Sequence, residues 1–276
     1  MTTPWCAVLG DPIDHSLSPV LHTAGSREAG LDWEYRRHRV DADGLGPFLD
    51  DLDDDCRGLS LTMPLKRRAL EHADEVSDIA RTAGAANTLV VAVDGRRRAD
   101  NTDVPGAAAA IRETYDGPLG TATIWGGGAT AASVLLALAE RGLERATLAV
   151  RDPGRAAETL AAVGRHPDPP EMTVVPLDGL ASVEADLVVS TIPASAQQER
   201  LLAAVADVPV VFDVLYDPWP TPLAAAATAD GRTLVGGLDL LVWQAVDQLR
   251  AMTGRFDVPV AAMRQAGEVG LAERRR

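Results

Sequence analysis

The segment Gly126-Gly127-Gly128-Ala129-Thr130-Ala131 constrains the fold of this chain more than any other stretch. It sits between a short apolar run, Ala122–Trp125, and an Ala/Leu-rich stretch, Ala129–Glu140, which read as a strand and a helix. The pattern is G-x-G-x-x-A. Gly126 makes the turn, Gly128 lets backbone approach a pyrophosphate, and Ala131 allows close helix packing. The helix N-terminus behind it offers free N–H groups and a positive dipole end to phosphates. Further apolar runs at Ala146–Val150, Met172–Val175, Ala185–Ser190 and Pro209–Val214, with a helix over Arg155–Val163, repeat the strand–helix–strand spacing. Such units imply right-handed crossovers and a parallel sheet. Residues 106–236 therefore read as a Rossmann-type dinucleotide-binding domain. After its second strand, an acidic residue suits the ribose of NAD and an arginine suits the 2′-phosphate of NADP. Here the loop is Val150-Arg151-Asp152-Pro153-Gly154-Arg155, so Arg151 and Arg155 favour NADP while Asp152 points both ways.

The first hundred residues have a different texture. Strands are expected at Cys6–Leu9, Trp33–Val40, Gly58–Thr62 and Thr88–Val93, with helices or turns at Leu17–Ala29, Gly44–Asp50 and Lys66–Leu70. Asp94-Gly95 is a hairpin signal leading into Arg96–Asp100. The result is an N-terminal α/β domain with a mixed sheet. A helical tail, Leu238–Leu249 and Pro259–Gln265, has no strand partners left in the second half and is expected to pack back on the first domain. The expected domains are 1–105 with 237–276, and 106–236.

Composition narrows the partners. The formal net charge is −14 with a pI near 4.7, so the long-range field repels nucleic acid and anionic membranes. A local basic pocket for a small anion remains compatible with that. The two cysteines, Cys6 and Cys56, form no metal or disulfide pattern, and five aspartates within Asp50–Asp55 lack the loop glycine and spacing of a calcium site. No metal is expected. No run approaches the ~20 apolar residues of a membrane span, and the N-terminus has no signal-peptide character. A reduced, cytoplasmic setting is expected. Of 26 Lys+Arg residues only Lys66 is a lysine. Arg stays charged at physiological pH whereas a desolvated Lys exchanges its proton, so Lys66 is a candidate for proton chemistry.

Other polar clusters fall beside strand ends. Ser16 and Ser18 precede a helix and have two readings, helix caps or donors to a substrate carboxylate. Thr62-Met63-Pro64-Leu65-Lys66, Gly84-Ala85-Ala86-Asn87-Thr88 and Asp100-Asn101-Thr102-Asp103 add a lysine, an amide and a carboxylate suited to fixing hydroxyl groups.

Taken together these segments resemble the shikimate dehydrogenases. His15–Pro19, Thr62–Lys66, Gly84–Thr88, Asn101–Gly106, Ser190–Pro193, Asp213–Pro218 and Gly237–Gln244 match seven motifs of that family, in order, from about residue 5 to residue 250. The resemblance implies reversible NADP-linked reduction of 3-dehydroshikimate to shikimate, in aromatic amino-acid biosynthesis. It implies Lys66 and Asp103 as the catalytic pair, with Ser16, Ser18 and Tyr216 on the carboxylate and Thr62, Asn87 and Gln244 on ring hydroxyls. Gly126, Gly127, Gly128, Ala129, Thr130, Ala131, Arg151 and Arg155 would take the dinucleotide, with Thr191 and Gly237 lining its nicotinamide end. The chain departs from the family in having Ala129 for a glycine, Val150-Arg151-Asp152 for an Asn-Arg-Thr/Ser segment, Leu240 for a methionine and Thr23 for an asparagine. Alternatives are a quinate or aminoshikimate dehydrogenase using NAD, and a non-catalytic nucleotide-binding regulator on the same fold. Monomer and homodimer are both open.

Overall fold

A computed structural model describes residues 3–274, with only the backbone at position 155. Two compact units are formed, Met1–Gly106 with Leu241–Arg276, and Ala107–Leu240. In chain order the first contains β1 (Trp5–Gly10), α1 (Ser18–Glu28), β2 (Glu34–Arg39), α2 (Leu45–Asp50), β3 (Cys56–Leu61), β4 (Glu75–Val76), α3 (Asp78–Ala83), β5 (Thr88–Val91), β6 (Arg97–Asp100) and the start of α4 (Asp103–Thr114). Its six-stranded sheet has the order β2-β1-β3-β5-β6-β4. β1 runs parallel to β2 and β3, whereas β5 is antiparallel to both β3 and β6. Trp-Cys-Ala-Val-Leu-Gly of β1 is buried throughout, as a strand covered on both faces requires, while the charged Glu-Tyr-Arg-Arg-His-Arg of β2 forms an edge. Leu59, Leu65 and Leu89 have no exposed surface in the core beneath this sheet, each worth about 1.5–3 kcal/mol of burial.

That topology decides where polar residues gather. Parallel β1 and β3 bring their carboxyl ends, and the loops after them, to one end of the sheet. Antiparallel β5 begins at that same end, and β6 finishes there, because Ser60 pairs with Thr88 and Thr88 with Asp100. Ser16 and Ser18, Thr62 and Lys66, Asn87 and Asp103 thus all fall at one end.

The second unit carries β7 (Thr121–Trp125), α5 (Ala129–Ala139), β8 (Arg145–Val150), α6 (Ala157–Val163), β9 (Glu171–Pro176), β10 (Leu187–Ser190), α7 (Glu199–Ala204), β11 (Val210–Asp213), α8 (Pro222–Ala229) and β12 (Thr233–Val235). All six strands are parallel, in the order β12-β11-β10-β7-β8-β9. The fold class is the expected one, an α/β protein with one mixed sheet and one doubly wound parallel sheet. The tail follows a completed sheet as expected, but that sheet has one strand more than expected, β12, at the edge beside β11. Thr-Leu-Val is too short to signal a strand by alternation. The segment expected as helix from Arg155 opens as a 3-10 turn, Pro153–Ala156, before α6.

α9 (Gly237–Thr253) and α10 (Val260–Arg274) complete the chain, and from Leu241 onward they belong to the first unit. α10 packs on α1, where Gly25 faces Leu249 and Met263 and Gly270 faces Leu17. α9 crosses α4 at Gly106, where a Cβ would lie 2.8 Å from the Gln244 nitrogen and 3.0 Å from its Cα. Backbone cannot yield as a flexible side chain does. Gly106→Ala is therefore expected to destabilise the protein by about 1–3 kcal/mol, read as a lowered urea midpoint.

Candidate functional site

Local structure at each strand end explains how the polar cluster of the first unit is built. After β3 the chain turns tightly, Leu65 N–H donating to Thr62 O at 2.8 Å, and the buried Leu65 side chain anchors the turn. Lys66 follows, its carbonyl accepting from Ala86 N–H at 2.6 Å. α3 is capped by Ser77 at its start and ends on Gly84 in the left-handed region, at φ 64°. That glycine turns the chain back toward the sheet and sets Asn87 at the head of β5. Asn101 begins α4 with its side-chain oxygen, accepting from Asp103 N–H at 3.0 Å and Val104 N–H at 3.3 Å, and its amide donates to Ala85 O at 2.9 Å. Asp103 thereby becomes the first residue of a helix.

The Lys66 Nζ lies 2.6 Å from Asp103 Oδ2, with side chains 17 % and 7 % exposed. Asn87, buried, donates from Nδ2 to Asp103 Oδ1 and Thr102 Oγ1, both at 2.9 Å, and to Gln244 Oε1 at 3.3 Å. Gln244, buried on α9, donates to Leu241 O at 2.7 Å. Lys66, Asn87, Asp103 and Gln244 thus form one hydrogen-bonded cluster. Thr62 sits at the turn four residues before Lys66, with its methyl group packed where Gly10 leaves no room for a Cβ.

Ser16 and Ser18 are buried. α1 has no side-chain cap; Leu17 holds that position and Ser16 Oγ accepts only from Ser18 N–H, at 3.3 Å. Of the two readings left by the sequence, the capping one is not what the structure forms. Arg37 and Arg274 donate to the Ser16 and His15 carbonyls at 2.8 and 2.6 Å, fixing this loop from two sides.

In the second unit, the glycine turn is open. Gly126 has φ 102°, and a Cβ there would come 2.4 Å from Thr191 Oγ1. Thr191 itself donates to Trp125 O at 2.9 Å, so it flanks the turn. A Cβ at Gly128 would meet nothing within 4 Å, and α5 begins there with no side-chain cap on its first N–H groups. Gly127 O accepts from Thr159 Oγ1 at 2.8 Å, and Ala129 and Thr130 begin α5, followed by the buried Ala131. These residues fit a dinucleotide pyrophosphate. Arg151 is exposed at the end of β8, while the side chain of Arg155 lies outside the described residues. Asp152 caps the following 3-10 turn, accepting from Gly154 N–H at 2.9 Å.

Three residues have structural roles that the sequence did not assign. Asp213 is fully buried at the end of β11, accepting from Gln197 Nε2, Thr221 Oγ1 and Leu215 N–H. Burial pushes its carboxyl above the ordinary aspartate value. It ties down the loop carrying the half-buried Tyr216, and Gly237 packs where a Cβ would lie 2.3 Å from Leu215 O. Thr102 and Gln248 are the others. Gln248 follows Gln244 by four residues, a helical spacing that puts both on one face of α9. Among the described residues no cluster of His, Cys, Asp and Glu would hold a metal, and no helix is long and apolar enough to cross a membrane.

A parallel sheet with an open glycine turn at a helix N-terminus, in a chain that also sets an ammonium against a carboxylate, defines a dinucleotide-dependent oxidoreductase. The family model for the shikimate dehydrogenase substrate binding domain matches residues 8–89, and that for the shikimate 5′-dehydrogenase C-terminal domain matches residues 237–266. A shikimate dehydrogenase (NADP(+)) of Caulobacter vibrioides is 35% identical over 277 residues, covering 95% of each chain. The crystal structure of a shikimate 5-dehydrogenase from Mycobacterium fortuitum is similar with a TM-score of 0.84 at 41% identity, covering 96% of this chain and 98% of that one. The enzyme of Thermus thermophilus, solved in complex with NADP(H) and shikimate, gives a TM-score of 0.85 at 31% identity, covering 98% and 100%. The chain belongs to the shikimate dehydrogenase family.

Removing Lys66 leaves the Asp103 carboxylate enclosed without its cation. Lys66→Met is expected to cost about 3–5 kcal/mol in urea unfolding, and the Lys66→Met/Asp103→Asn double variant is expected to recover part of that loss. His22, fully enclosed and stacked on Tyr35 at 4.2 Å, is lowered to about 4 by burial. The unfolded chain takes up this proton near 6.5 and the folded one only near 4, so stability present above pH 6.5 is lost as pH falls toward 4. Between pH 7 and 4 the wild type should lose about 3 kcal/mol more than a His22→Phe variant, measured by denaturant unfolding.

Proposed function

We propose that the protein is an NADP-dependent shikimate dehydrogenase, reducing 3-dehydroshikimate reversibly to shikimate in aromatic amino-acid biosynthesis. The observation that carries this reading is the enclosed Lys66–Asp103 pair, 2.6 Å apart, formed by the only lysine of the chain. The nicotinamide, when bound, supplies or accepts hydride at ring C4. This chain's residues manage the proton. As the substrate carbonyl oxygen gains negative charge, the Lys66 ammonium stabilises it and gives it a proton from Nζ. In the reverse direction the neutral amine takes the hydroxyl proton back. Asp103 holds Lys66 through Oδ2 and binds the neighbouring ring hydroxyl, with Thr62, Asn87 and Gln244 fixing the others.

Ser16 and Ser18, whose hydroxyls cap no helix, are assigned to the substrate carboxylate; the same role for Tyr216 rests on the family resemblance. Gly126–Ala131 are assigned to the pyrophosphate, Arg151 and Arg155 to the 2′-phosphate, and Thr191 and Gly237 to the nicotinamide end. The capping bond of Asp152 supports the NADP assignment, because its carboxylate is engaged with Gly154 N–H in its own turn. The substrate-binding role goes to the unit containing the termini and the dinucleotide role to the other. A cytoplasmic monomer or homodimer, with no nucleic-acid or membrane partner, belongs to the same reading.

The test is absorbance at the reduced-nicotinamide band, with shikimate or quinate crossed against NADP or NAD. Shikimate with NADP is expected to be the fastest pairing. Preference for NAD or quinate overturns the cofactor or substrate assignment, and turnover in no pairing by folded, nucleotide-binding protein overturns the enzyme.

A further inference from the structure

Behind the Lys66–Asp103 pair runs a buried series of hydrogen bonds whose direction is fixed along its length. Tyr35, kept protonated because burial pushes its hydroxyl up, donates to Ser60 Oγ at 2.6 Å. Ser60 then donates to Gln248 Oε1 at 2.8 Å, and His22 Nε2 reaches the same oxygen at 3.1 Å. An amide oxygen only accepts, so His22 carries its hydrogen on Nε2. On its other side Gln248 Nε2 faces the Asn87 carbonyl at 2.9 Å and Thr88 Oγ1 at 3.2 Å. The carbonyl cannot donate, which fixes the orientation of the Gln248 amide.

Thr88 has one hydroxyl hydrogen. With the Gln248 amide donating to the hydroxyl oxygen, that hydrogen goes to Asn87 Oδ1 at 2.9 Å, where Thr102 N–H also arrives, at 2.8 Å. The Thr102 hydroxyl reaches Oδ1 as well, at 3.2 Å, and these donors turn the Asn87 nitrogen toward Asp103 Oδ1. A flipped Asn87 amide would set N–H against the Thr102 N–H. The side chain that directs the Thr88 hydrogen therefore joins the Thr102 N–H in keeping the Asn87 donor pointed at the reacting groups.

We propose that Gln248 is a positioning residue for the Lys66–Asp103 pair, acting through Thr88 and Asn87. Its hydrogen bonds go to Ser60, His22, Thr88 and the Asn87 carbonyl, not to the pair. The proposal rests on the dehydrogenase reading for its kinetic consequence, and on geometry for the rest. Gln248→Met keeps the side-chain length without the amide, and Thr88→Val keeps the shape of the threonine without the hydroxyl. Each single variant is expected to lower kcat with shikimate about tenfold, as loss of one such hydrogen bond would, while KM for NADP is unchanged. Because both act on one path, the double variant should lose no more than the worse single.

Losses that multiply in the double variant, or wild-type kcat in either folded single, overturn the proposal. If Gln248→Met fails to fold, Thr88→Val decides it alone. A second readout needs no turnover: the Asn87 side-chain amide protons, assigned in NMR spectra by Asn87→Asp, should exchange slowly with solvent in the wild type and at least tenfold faster in Thr88→Val. Unchanged exchange overturns the positioning role. A wild type that oxidises shikimate with neither cofactor overturns the dehydrogenase reading instead, and the exchange measurement still decides for Gln248.

Discussion

An ammonium held 2.6 Å from a carboxylate, both largely out of water, is the interaction around which the first unit is organised. Such a pair has lost hydration on both sides, and the remaining lone pairs need donors at fixed positions. Asn87 supplies one to Asp103, Thr102 and Thr88 orient Asn87, and Asn101 fixes the backbone from which Asp103 projects. Each of these residues is itself hydrogen-bonded. A buried polar network is favourable only when its members are satisfied, so the requirement spreads outward through Gln248 to Ser60 and Tyr35.

The sheet topology makes this gathering possible. Residues from 16 to 103 reach one end of the sheet because β1 and β3 end there, β5 begins there and β6 returns there. α9 then adds Gln244 and Gln248 from far along the chain, at a helix crossing that Gly106 permits by having no side chain. The second unit follows a separate rule. Its parallel strands place the glycine turn at a helix N-terminus that has no side-chain cap, a geometry that suits an anion.

The glycine turn, most strands and the single lysine were legible because each depends on neighbours in sequence. Gly126 needs its positive φ to turn between β7 and α5, and the apolar runs of β1, β10 and β11 need little context. β12 was not legible, being three residues whose pairing depends on the distant β11. Whether Ser16 and Ser18 cap α1 was open as well, because composition alone does not say which residue takes the cap position; Leu17 takes it. Asp213 stood in a matched segment but its burial, like the partners of Gln248, was not legible, since a buried carboxylate or amide is recognisable only once its enclosure exists.

The sequence by itself determined the glycine turn, the parallel half, the mixed first domain and the presence of a single lysine, because these follow from local conformational preference and residue identity. Tertiary structure decided that Lys66 meets Asp103, that the Asn87 amide faces that pair, and that Gln244 and Gln248 reach Asn87 from α9. Those outcomes depend on packing between segments separated by tens to hundreds of residues. Only there do direction and distance, on which a hydrogen bond depends, become fixed.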